Sequence, residues 1–149
     1  MQTSASPILM LVMLAGILAL VAIVAAFFMR PARPSRMAVA VAVLPASLML
    51  ALFYSLALHM HQSLGGWPVS IGDHGFPAAL ALHGSIATIY FSLLVLANTF
   101  AWPVTFLLCL LIPRWRVCVY YLGCYALACL VCFGAMLLTP SQFLNWWWD

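Results

Sequence analysis

The sequence predicts an all-α, polytopic membrane protein, an antiparallel bundle of four transmembrane helices that forms a single domain over residues 1–149. Three observations predict it. The side chains are 68% hydrophobic and 5% charged, with a mean hydropathy of +1.18, where a soluble domain runs at roughly one half apolar and one quarter charged. Four apolar runs are each long enough for a hydrocarbon core of about 30 Å, which takes about 20 helical residues. All five arginines fall in two of the three connections between those runs. Five Arg and two Asp are also too few charges to solvate a surface in water or to track a phosphate backbone, so no nucleic-acid partner is expected. Disorder needs the opposite composition.

The first span covers about residues 7–29 and stops at Arg30-Pro31-Ala32-Arg33-Pro34-Ser35-Arg36, where two prolines end a helix and three guanidinium groups resist burial in lipid. The second covers 37–60. The loop that follows, 61–76, holds four of the eight glycines (Gly65, Gly66, Gly72, Gly75) and reads as irregular chain folded over the bundle, anchored by Trp67 and Phe76. It is expected to serve as a plain connector, as a lid over a quinone or lipid site, or as a contact surface for a larger assembly. The third span, 77–112, would measure about 54 Å as a straight helix. It should therefore kink near Pro103, which cannot donate to the carbonyl of Thr99, and project at its outer end. A tight basic turn, Pro113-Arg114-Trp115-Arg116, leads into the fourth span, 117–138.

Because the arginines occupy only the first and third connections, the positive-inside rule places both turns in the cytoplasm. Both termini and the 61–76 loop then face outward, which for a bacterial inner membrane is the periplasm. Trp146, Trp147 and Trp148 fit headgroup depth beyond the last span. The segment Met1 to Ser6 carries no positive charge, unlike the start of a secretory signal.

Small residues mark where helices approach closely in a membrane. The expected seams are Ala15, Ala19, Ala22 and Ala26 in the first span, Ala38, Ala42 and Ala46 in the second, Ala81, Ser85, Thr88, Ser92 and Thr99 in the third, and Cys124, Ala128, Cys132 and Ala135 in the fourth. No span contains Asp, Glu, Lys or Arg, whereas ion-coupled transporters and proton pumps usually need one there. With Asp73 and Asp149 the only acids, neither a Ser/His/Asp triad nor a carboxylate pair can be assembled, so a hydrolase or kinase is not expected.

The four histidines, His59, His61, His74 and His83, all fall near the outer side. His59 ends the second span and His83 begins the third, so the two can face each other, and imidazole ligates haem iron, copper or zinc. They are the candidate ligand pair for haem b. His61 and His74 with Asp73 form a candidate metal set, and an interfacial histidine bonded to a loop carbonyl is the plain structural alternative.

All five cysteines lie in the inner end of the third span or in the fourth. Cys129-Leu130-Val131-Cys132 is a C-x-x-C in the outer half of that helix. On this motif and the helix count the chain is similar to the four-helix thiol oxidoreductases of the vitamin K epoxide reductase type, in which such a pair reduces quinone. The resemblance implies redox roles for Cys129 and Cys132. It also implies a second cysteine pair in an outer loop, which this sequence lacks. Small, lipid-compatible packing residues are the alternative.

Together these features lead us to expect a non-catalytic integral membrane protein, an accessory or stabilising subunit packed against other membrane subunits. A b-type haem or quinone-binding electron-transfer protein using His59 and His83, and a thiol oxidoreductase using Cys129 and Cys132, are the alternatives.

Overall fold

The structure, a computed structural model, describes residues 7–31, 33–67 and 76–148, with side chains given from residue 16 onward in the first helix. Among them the chain is all helical: α1 (Pro7–Phe28), α2 (Arg36–Leu64), α3 (Ala78–Leu96), a π turn (Ala97–Ala101), α4 (Trp102–Leu111), a 3-10 turn (Pro113–Trp115), α5 (Arg116–Met136) and α6 (Ser141–Trp148). Three stretches are long and apolar enough to cross a membrane, Arg36–Leu64, Ala78–Leu111 and Pro113–Met136, with 29, 34 and 24 residues. Residues 68–75, half of the 61–76 loop, lie outside the described residues, and 61–64 continue α2.

Local chemistry sets the helix ends. Ser35 caps α2, its hydroxyl accepting from the Ala38 amide at 3.3 Å. Gly65 closes the helix in the left-handed region at φ 67°, a conformation that costs glycine nothing. The Ala78–Leu111 helix widens into its π turn immediately ahead of Pro103, where the sequence predicts a kink. The wide turn is closed by the Trp102 amide on the Ala97 carbonyl. Around it Asn98, Thr99 and Thr105 donate to the carbonyls of Leu94, Val95 and Ala101 at 2.8–2.9 Å. Side chains thus bond backbone oxygens around a proline that brings no N–H of its own.

α5 is the hub of the packing, touching α1, α2 and α4, while α3 rests on α2. The long helix therefore changes partner along its length. Its first half lies on α2, and beyond the π turn α4 lies on α5 and α1. Two cores result. Near the loop end, Met49, Phe53, Leu56, Met60, Leu80, Ala87, Met136 and Phe143 pack together. Near the arginine end, Ala22, Trp102, Phe106, Cys109, Val119 and Ala126 do so. Large side chains such as Leu20, Phe27, Val41, Leu58, Leu93 and Leu111 point outward, as lipid-facing residues do.

The seams agree only in part with the expected ones. Ala22 and Ala26 of α1 are buried against Gly123 of α5, where a Cβ would overlap the Ala26 methyl and stand 2.9 Å from the Ala22 carbonyl oxygen. The closest face of α5 is thus Val119, Gly123 and Ala126, with Cys124, Ala128, Cys132 and Ala135 half-buried beside it. In α3 the expected stripe of Ala81, Ser85, Thr88 and Ser92 faces outward, and the helix packs through Leu80 and Ala87. Ser85 shows why such a face needs no partner helix, since its hydroxyl donates to the Ala81 carbonyl of its own helix at 2.9 Å.

α6 is an element the sequence reading lacks. It docks through aromatic rings: Phe143, fully buried, meets Phe53 and Trp67 with ring centroids 5.1 and 5.8 Å apart, and Trp147 meets Phe53 and Phe91 at 5.2 and 5.7 Å.

Candidate functional site

α2 and α3 run antiparallel beside each other, His59 five residues before the end of α2 and His83 five residues after the start of α3. Equal distance from the loop brings the rings together, their Nδ1 atoms 3.1 Å apart. Ser55, one turn before His59 on α2, lies 3.1 Å from His83 Nε2. The Ser55 hydroxyl already gives its hydrogen to the Leu52 carbonyl at 3.0 Å, so its oxygen accepts from His83 Nε2–H. His83 Nδ1 is then a bare lone pair, and His59 must donate to it from Nδ1–H. This tautomer order is assigned from the hydrogen-bond network. It leaves His59 Nε2 as a lone pair without a partner among the described residues.

Two trans imidazoles on haem iron need their coordinating nitrogens about 4 Å apart at metal–nitrogen distances near 2 Å, with a porphyrin plane between them. The rings of His59 and His83 are in direct hydrogen-bond contact, centroids 5.3 Å apart, so this arrangement has no room for that plane. His61 is exposed and stands edge-on to Trp67, centroids 4.9 Å apart. His74 and Asp73 lie outside the described residues. Among the described residues no three His, Cys, Asp or Glu side chains converge on one point. No family model, curated protein or solved structure matches the chain.

Cys129 and Cys132 are free thiols, half-buried, and both line a cavity of about 270 Å³. Gly16, Asn98, Trp102 and Met136, from four different elements, also wall it.

A larger feature lies toward the arginine end. Where the long helix passes from α2 to α5, a groove of about 870 Å³ opens between α2, α4 and α5. Ala38 and Ala42 of α2, Ala97 and Ala101 of the π turn and Thr105 of α4 line it together with Trp115 and Tyr121. The Tyr121 hydroxyl accepts from the Ser35 amide at 3.1 Å, joining α5 to the start of α2 beside the groove. The Ala38 and Ala42 stripe was legible in the sequence. What was not legible is that, among the described residues, no helix fills the space before it.

Proposed function

We propose that this protein is a non-catalytic, four-span membrane subunit, α1 supplying the fourth span, that seats against a transmembrane helix of another subunit in a larger assembly. The groove between α2 and α4 supports this reading above all else. Four alanines line it, Ala38, Ala42, Ala97 and Ala101, the residue type that lets two helices approach closely in lipid, among larger side chains such as Trp102, Trp115 and Tyr125, and its volume of about 870 Å³ suits side chains of an incoming helix. Two tyrosine hydroxyls are spent within the bundle: Tyr54 donates to the Ala135 carbonyl at 2.7 Å and Tyr90 to the Pro45 carbonyl at 3.0 Å. In this reading Arg30, Arg33, Arg36, Arg114 and Arg116 mark the cytoplasmic side of a bacterial inner membrane, with both termini outside.

Photoreactive residues at Ala42 and Ala101 test it in native membranes. Each should capture another polypeptide, while the same residue at the outward-facing Leu93 should not. Native electrophoresis should show the chain in a larger species that Ala42→Leu releases. Migration of the wild type at its own mass, with equal or no protein adducts at all three positions, would overturn the reading.

A second reading is favoured by the cavity that Cys129 and Cys132 share: thiol chemistry on a small apolar substrate such as a quinone. Reversible disulfide formation between those two residues, coupled to quinone reduction by the purified protein, is its test.

A further inference from the structure

We propose that His59 and His83 are cis ligands of a divalent transition-metal ion of the zinc class, with Ser55 holding His83 in the coordinating tautomer. The proposal stands independently of the assembly role. At metal–nitrogen distances of about 2.0–2.1 Å, two imidazole nitrogens in cis, at 90° to 109° about the ion, lie about 2.8–3.4 Å apart. The observed Nδ1 to Nδ1 separation is 3.1 Å, inside that window and well short of the trans distance that haem needs. Coordination by Nδ1 of both rings therefore asks for little movement of either helix.

The second observation is the orientation of His83. A ligating histidine commonly donates its other ring N–H to an acceptor that fixes its tautomer. Ser55 Oγ, its own hydrogen committed to the Leu52 carbonyl, is such an acceptor for His83 Nε2–H. His83 Nδ1 is thereby presented as a lone pair with the ring neutral. On binding, His59 loses the hydrogen at Nδ1 and gains one at Nε2, which has no partner among the described residues, and both rings turn so that their Nδ1 lone pairs converge on an ion beside the line between the two nitrogens. Both rings stay neutral and no net proton is released. Water completes the coordination, since no third protein ligand stands near among the described residues. Imidazole pairs suit Zn²⁺, Cu²⁺ and Ni²⁺ better than Mg²⁺ or Ca²⁺.

The test titrates Co²⁺, a coloured substitute for zinc, into the purified full chain in detergent with any histidine tag removed. One saturable equivalent with a visible ligand-field band, displaced by Zn²⁺, is expected. His59→Gln and His83→Gln should each abolish it, and Ser55→Ala should weaken it at least ten-fold while circular dichroism stays unchanged. A wild-type measurement guards against variants that fail to fold: Zn²⁺ should protect His59 and His83, but not His61, from acylation by diethyl pyrocarbonate. Absence of a saturable equivalent, a band that survives both histidine variants, or no selective protection would each overturn the site.

Discussion

The contact of α1 with α5 at Gly123 allows a sharp test of the bundle. Gly123→Ala adds one methyl where the Ala22 carbonyl oxygen would stand 2.9 Å away and the Ala26 methyl would overlap it. An ordinary contact needs about 3.4–4 Å, so the helices must part by roughly half an ångström to one ångström along a seam in which Ala22 and Ala26 are buried. Overpacking of this size costs about 1–3 kcal/mol, which raises the unfolded fraction roughly 5- to 150-fold. Unfolding in a fixed detergent, followed by circular dichroism, reads the loss. Ala26→Gly removes the methyl contact but leaves the carbonyl contact, so the double variant should recover part of the loss and the cycle should show coupling of about 0.5 kcal/mol or more. Gly134→Ala is the control: it lies in the same helix with nothing within 4 Å of its Cβ, and should be neutral or stabilise by up to about 1 kcal/mol. A Gly123→Ala variant as stable as the wild type, or a cycle without coupling, would mean that α1 does not lie against α5 in this register.

Phe143→Ala should destabilise by about 3–5 kcal/mol, because a fully buried ring leaves a hole between Phe53 and Trp67; the same unfolding assay reads it, and Trp148→Ala at the exposed end of α6 should cost far less. Thr139→Val should be neutral or stabilise by about 1 kcal/mol, since the Thr139 hydroxyl is buried without a partner among the described residues and valine has its shape. Tyr54→Phe should cost about 0.5–1.5 kcal/mol through loss of the bond to Ala135. For topology, membrane-impermeant thiol reagents applied to a chain without native cysteines should label Gly66→Cys from outside and Ser35→Cys and Trp115→Cys only after the membrane is opened. Labelling of Gly66→Cys only from the inside would reverse the orientation.

Three long apolar helices were legible because lipid imposes one dominant requirement, a long run of apolar residues, and the runs ending at Met60, Ile112 and Leu138 meet it and return as Arg36–Leu64, Ala78–Leu111 and Pro113–Met136. The nearness of His59 and His83 was legible for a similar reason, since a hairpin brings together residues equally far from its turn. Ser55 escaped notice although its spacing of four from His59 places both on one face. Two features needed three dimensions. α6 has eight residues, too few to be stable alone, and owes its helix to the rings of Phe53, Trp67 and Phe91 that it meets. The α3 stripe misled because small residues are necessary at a seam but not sufficient for one; Ser85 bonds its own backbone and needs no neighbour.

The π turn at Ala97–Ala101 also sets where this chain can change length. A wide turn holds one residue more than an α turn for nearly the same climb, so the long helix carries a single residue of slack at one address. Loss of one residue from α3 would rotate everything beyond it by about 100° and swing Trp102, Phe106 and Cys109 off their core. Loss of one residue from within the wide turn would instead let it close to an ordinary turn, with those three side chains still facing inward. That exchange works only if Pro103 is replaced at the same time, because in an α turn its ring would collide with the carbonyl four residues back.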